Sequence, residues 1–321
     1  MTTLTAMMNL LPHLRAEDRA KALYHGLSSV SSEANGASPR FMVRPLPGSA
    51  PDFPTLKRWF REFVEVRDSE GTERCIVTAV MSGAGPGEMT DFLFAAATDH
   101  RYIETGHTAD FSNKALEALD LAGWEMAAPI LSSLAGSFAS ASRMEESNSW
   151  RNPVDLIAIL EQAFGRLPET LAQGRDRRAS GSPVVVDRGE LLKVLLGDDA
   201  QAIASALLQA LGQGMVLEEL AGIVVYAAAL RIARFHTRNE FSDWDSALHS
   251  FSFANAIHQA VRRAATAELA RGIFDGAMTV YLNRFLNVPR TQRPEPQRVL
   301  VESDELLRRL PGLFDRQQNI H

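Results

Sequence analysis

The sequence predicts an all-α protein, a multi-helix bundle built from two diverged copies of a helical repeat. Three observations predict it. Alanine-, leucine- and glutamate-rich stretches recur at helical spacing along almost all of the 321 residues. Strand-like runs are confined to C-I-V-T-A-V (75–80) and P-V-V-V-D (183–187), each too short and isolated to build a sheet. The third observation is an internal echo. E-M-T-D-F-L-F-A-A-A-T (88–98) is answered by E-L-A-G-I-V-V-Y-A-A-A (219–229), an acidic residue followed by an apolar run and a small-residue patch. Downstream, His107, Phe111 and Asn113 recur at the same spacing as His249, Phe253 and Asn255. The first gap, Glu88 to His107, is 19 residues, and the second, Glu219 to His249, is 30. Repeated supersecondary units usually stack to share a core. Stacking here brings a histidine from each copy toward the other.

The elements follow in order. Residues 15–32 read as a first helix carrying Tyr24 and His25. Residues 36–54 hold five prolines and form an irregular crossing. Helices are expected over 55–67, 71–83, 87–104, 108–121 and 125–142, with G-A-G-P-G-E (83–88) as a break and helix start. The polar stretch 166–190 reads as a linker between copies spanning about 71–142 and 200–287. Helices resume at 190–212, 216–234, 245–270 and 272–286. The tract 288–296 reads as a second linker and 302–317 as a last helix. Residues 1–287 form one helical body, and 288–321 are a linker and C-terminal helix.

Composition narrows the function. A net charge of −6 with no basic stripe argues against a nucleic-acid partner. The single cysteine, Cys75, excludes an internal disulfide, a thiolate-ligated iron–sulfur cluster and a zinc ribbon. A reducing cytoplasm fits best. No signal peptide is read at the N-terminus, and no apolar run approaches the roughly 18 residues of a membrane span.

Eight histidines are the candidates for chemistry. His100, Glu104 and His107 stand at i, i+4 and i+7, which on an α-helix puts them within about 60° of one another. Imidazole plus carboxylate suits iron, zinc or copper; a solvated helix face is the plainer reading. His249 gains weight from its match to His107, and Asp110 is placed to orient the His107 ring from behind. Alternatively, both histidines join the repeats by hydrogen bonds. His236 and Glu240 form either a ligand pair or a surface ion pair. His258 lies about 180° round the helix from His249 and is left out. The E-x-x-H of Glu104–His107 occurs once, whereas ferritin-like di-iron bundles need two. No H-E-x-x-H, P-loop, G-x-G-x-x-G after a strand, or G-x-S-x-G is present. Alkylhydroperoxidase D-type chemistry needs a C-x-x-C, which is absent.

Three stretches carry a resemblance. H-R-Y-I-E-T-G-H-T-A-D-F (100–111) resembles the H-x-x-I-H-x-G-Y-x-x-E-F stretch of the questin oxidase-like family. V-Y-A-A-A-L (225–230) with D-x-x-L-H-S-x-S (245–252) is similar to that family's later Y-A-A-A and M-H-x-x-T-S region. A-L-Y-H-G-L (22–27) is similar to its early histidine-bearing helix. The chain also resembles the helical N-terminal region of bacterial proteins with a C-terminal Rieske [2Fe–2S] domain, through 56–68, 95–101 and 145–156. It carries no cysteine pair of its own for such a domain, so it reads as a shortened chain or a member lacking it.

The resemblance implies non-haem iron, with His25, His100 and His249 at family histidine positions. Glu104 stands where the family has a second histidine, and His107 where it has tyrosine. No lysine follows Lys193, so a late lysine ligand is excluded. The expected metal set is therefore His25, His100, Glu104, His107 and His249, with Asp110 behind His107. The expected activity is that of an oxygenase-like oxidoreductase on an aromatic or quinone-like small molecule. Phe92, Phe94, Phe111 and Phe253 are candidates to line its apolar pocket. A fused or separate Rieske-type partner would supply electrons. The alternative is a non-catalytic helical scaffold that docks a redox partner and uses its histidines structurally. The two copies pack either within one subunit or by exchange in a homo-oligomer.

Overall fold

The computed structural model describes residues 2–182, 184–236, 238–292 and 302–314. Among them are fifteen α-helices and no strand. The helices begin where the sequence supplies caps. Asp52, Asp68, Asp155, Asp187 and Asp199 each accept a backbone N–H of the first turn, starting α3 (Phe53–Glu65), α4 (Ser69–Met81), α9 (Leu156–Ala179), α10 (Arg188–Leu195) and α11 (Ala200–Gly212). Thr266 does the same for α14 (Ala267–Leu282). Pro86 sits in the first turn of α5 (Pro86–Ala97), and Glu88 reaches back to the Gly85 amide.

Helices α5 and α14 are the buried centre. In α5, Met89, Thr90 and Phe92–Ala97 are buried; in α14, residues 272–281 are. Their surround is made by α3, α9, α11, α6 (His107–Ala122), α12 (Leu217–Ala233) and α13 (Phe241–Arg263). Close approach depends on small residues. A Cβ on Gly272 would meet Ile257 Cδ1 at 2.5 Å, and one on Gly174 would meet the Leu211 carbonyl oxygen at 2.1 Å. A helical hairpin of α1 (Thr2–Leu10) and α2 (Ala16–Ala34) packs through α1 on α6. Two short helices, α7 (Ala127–Ser132) and α8 (Ala135–Ala139), cover α4, and α15 (Ser303–Phe314) is the last. None of the described helices is long and apolar enough to cross a membrane.

Four expectations are corrected. The helix expected over 87–104 ends at Ala97. The helix over 125–142 is broken into a 3-10 turn, α7 and α8. The expected linker 166–190 is helical to Ala179, because Leu167, Thr170 and Gly174 bury one face against α11. The helix over 190–212 is interrupted at 196–199, where Gly197 and two aspartates replace apolar spacing. The linker expected over 288–296 and the end of the last helix fall partly outside the described residues.

Candidate functional site

Residues 100–106 do not form an α-helix. After Thr98 the chain enters a turn in which Tyr102, Glu104 and Thr105 take φ of 42°, 50° and 49°, and Gly106 takes 91°. For residues with a Cβ this backbone is costly and persists only when the surroundings impose it. The anchors are specific. The Glu104 amide donates to the Ser142 carbonyl at 2.8 Å, and the Ser142 amide donates to Glu104 Oε2 at 2.6 Å. The Arg101 amide donates to Glu145 at 2.9 Å, while the Arg101 guanidinium pairs with Asp275 of α14 at 3.0 Å. The Tyr102 ring lies between Trp150 and Phe253.

The turn redistributes the expected ligand set. His100 faces two carboxylates, with Nδ1 2.7 Å from Glu145 and Nε2 3.1 Å from Glu65. Both ring nitrogens are taken up by these protein partners. Burial works against ionising Glu145, but the His100 ring and the Arg101 amide outweigh it and hold its carboxyl below the usual range. Glu104 is spent on Ser142. His25 is exposed on α2. The five residues expected to hold iron do not come to one point, and the described residues contain no group of three or more His, Cys, Asp or Glu placed for a metal ion.

His107 and His249 do meet. His107 opens α6 immediately after the turn, and His249 lies within α13, which packs on α6. Their Nε2 atoms are 2.8 Å apart, with the rings steeply inclined at 80°. The proton order follows from the partners. His249 Nδ1 is 2.8 Å from the Asp245 carbonyl oxygen, a pure acceptor, so Nδ1 donates and a neutral ring leaves a lone pair on Nε2. His107 Nε2–H then donates to His249, and His107 Nδ1 accepts from the Thr105 hydroxyl at 3.4 Å. One directed chain runs from Thr105 through both imidazoles to the α13 backbone.

Asp110 does not orient the His107 ring. Among the described residues Thr105 and Asp245 hold the outer ring nitrogens. Burial raises the Asp110 carboxyl, against a pull from Lys114 and weaker ones from His107 and His249. Of the phenylalanines expected to line a pocket, Phe92, Phe94 and Phe253 are core, and Phe111 leans on His107.

The pair opens on a cavity of about 290 Å³ lined by Tyr102, Thr105, Ser246, Ser250, Thr279 and Asn283 among others. Burial pushes the Tyr102 phenol above its ordinary range, and Ser250 draws it partly back. Asn283 donates to Ser250 Oγ at 2.7 Å, which donates in turn to the Ser246 carbonyl. Sequence reasoning missed Tyr102, Ser250 and Asn283. Asp245 acts through its backbone carbonyl, which its residue type does not signal. No known family model matches the chain, and no curated protein or solved structure matches it significantly.

Proposed function

We propose that the protein is an oxidoreductase acting on a small aromatic or quinone-like molecule in the cavity beside His107 and His249, and that the pair handles the proton of that reaction. The observation that carries this reading is the 2.8 Å Nε2–Nε2 contact with its fixed outer partners. Because both rings are held from behind, one proton lies between them and can pass to or from a ring hydroxyl or carbonyl of the substrate. Asn283, with a second amide N–H, offers a hydrogen bond to its oxygens, and Leu282 offers an apolar wall. The cavity sits at the small end of the range for organic ligands. The substrate class comes from the questin oxidase-like resemblance, and a Rieske-type partner would exchange the electrons. The segments around α5–α6 and α12–α13 are proposed to be diverged copies that each contribute one histidine.

A naphthoquinone probe tests the reading by isothermal titration. Saturable binding that weakens at least tenfold in His249→Ala and in Asn283→Ala, with melting curves retained, supports it. Binding unchanged in both variants places the probe elsewhere and overturns it.

A second reading rests on the same two nitrogens. His107 and His249 turn their Nε2 atoms to one point, and His249 is braced through Nδ1 as metal-bound histidines are. These two residues would hold a transition ion, which would supply redox or Lewis-acid chemistry. Elemental analysis of tag-free protein tests this: stoichiometric metal lost in His107→Ala supports it. No metal after anaerobic ferrous loading leaves the proton-transfer reading or the helical scaffold.

A further inference from the structure

A second, larger cavity of about 860 Å³ lies between α10, the end of α12 and the segment that follows α14. Its wall carries four arginines, Arg231, Arg234, Arg284 and Arg290. Among the described residues Asp198 is the one carboxylate on that wall. Arg231 is 6% exposed, yet its described partners are all neutral. Nε donates to the Val280 carbonyl at 3.1 Å, one terminal nitrogen to the Leu196 carbonyl at 3.0 Å, and the other to Asn287 Oδ1 at 3.4 Å. The carbonyls belong to the ends of α10 and α14, whose dipoles offset part of one positive charge. Arg284 and Arg290 add further positive charge to the same wall. Burial, with Arg234, Arg284 and Arg290 close by, brings the Arg231 guanidinium down to about 10. A buried cation whose described partners are all neutral is expensive for a protein to keep.

Arg284 is pre-set. Its guanidinium lies 3.8 Å over the Tyr281 ring and 4.0 Å over the Phe285 ring, and donates to the Tyr281 carbonyl. A side chain already held in place loses little entropy on binding. Tyr226 and Leu192 supply an apolar flank, and the volume lies within the range of organic-ligand sites.

We infer that this cavity binds a small organic molecule bearing two or more negative charges on phosphate or carboxylate groups, gripped by Arg231, Arg284 and their neighbours. Guanidinium forks match both oxyanions, and Arg231, Arg284 and Arg290 on one wall suit a ligand with more than one negative charge. The inference is independent of the histidine pair, whose cavity shares no lining residue with this one.

The test is titration calorimetry on the full chain with inorganic pyrophosphate and with citrate, at matched ionic strength. The expected result is saturable binding of at least one, weakening with added sodium chloride. Arg231→Gln is the direct variant, but it also removes the helix-end hydrogen bonds. Arg284→Gln with Arg290→Gln keeps those bonds and is expected to weaken binding at least tenfold with an unchanged melting curve. Tighter binding of pyrophosphate assigns a phosphorylated ligand, and tighter binding of citrate a polycarboxylate. No saturation by either up to about 10 mM, beyond weak millimolar affinity, overturns the inference. So does undiminished binding in the double variant.

Discussion

Replacing Arg101 with methionine tests what holds the turn in front of His107. Arg101 is 7% exposed and Asp275 1%. Their charged atoms are 3.0 Å apart, which at an effective dielectric of about 20 is an attraction of about 5 kcal/mol. Arg101 also donates to the Thr98 and Asp99 carbonyls and covers the Phe164 ring at 4.6 Å. Removing one member of a buried pair typically costs about 3–5 kcal/mol, a large part of a total stability of about 5–15 kcal/mol. The loss depends on pH. Burial raises the Asp275 carboxyl, and Arg101 and Arg271 pull it back. Without Arg101 it rises further, so the folded state holds that proton more tightly than the unfolded chain. Stability then falls as pH climbs above the ordinary carboxylate range, and Arg101→Met costs more at about pH 8 than at about pH 5. Urea unfolding followed by circular dichroism measures both. The double variant Arg101→Met, Asp275→Leu is expected to lose less than the sum of the singles. A loss under about 1 kcal/mol, or an equal loss at the two pH values, refutes the reasoning.

Three further outcomes are expected. Gly106→Ala puts a Cβ 2.8 Å from Tyr102 Cε2 and 2.9 Å from Phe253 Cβ at a φ of 91°, and is expected to cost about 2–4 kcal/mol in thermal unfolding. Cys75 is fully buried and its thiol is pushed up to about 12, so native protein is expected to resist iodoacetamide, and urea-unfolded protein to react fully. Asp110 is raised by burial, so its contribution to stability is present below the ordinary carboxylate range and fades as pH rises through its folded value. Asp110→Asn removes that slope, which melting temperatures across pH 4–7 record.

Most helices were legible because their caps and apolar spacing are local. The starts expected at 55, 71 and 87 fall within two residues of those that Asp52, Asp68 and Pro86 set in the structure. The errors arose where tertiary contacts decide. The run from Asp99 to His107 has helical spacing, but Glu104 and Arg101 find partners at Ser142, Glu145 and Asp275 that outweigh it. Within 166–179 the polar composition suggested a linker, yet the few residues that face α11 suffice to keep it helical. His107 and His249 were legible as a matched pair; His100 and Glu104 were not separable from them, because their role lies in carboxylate and backbone partners that spacing does not reveal.

The left-handed turn at 102–106 also fixes when the histidine pair can exist. Nothing local favours its dihedral angles, at a cost of about 1–3 kcal/mol for each strained residue. Its anchors lie 38 residues away at Ser142 and 174 residues away at Asp275. Contacts that distant form only after their intervening loops have closed. Helices α5 and α6 can therefore form early while the segment between them stays unset. His107 meets His249 only once α13 and α14 have docked, so a nascent chain released before α14 is made would carry both flanking helices and no assembled pair.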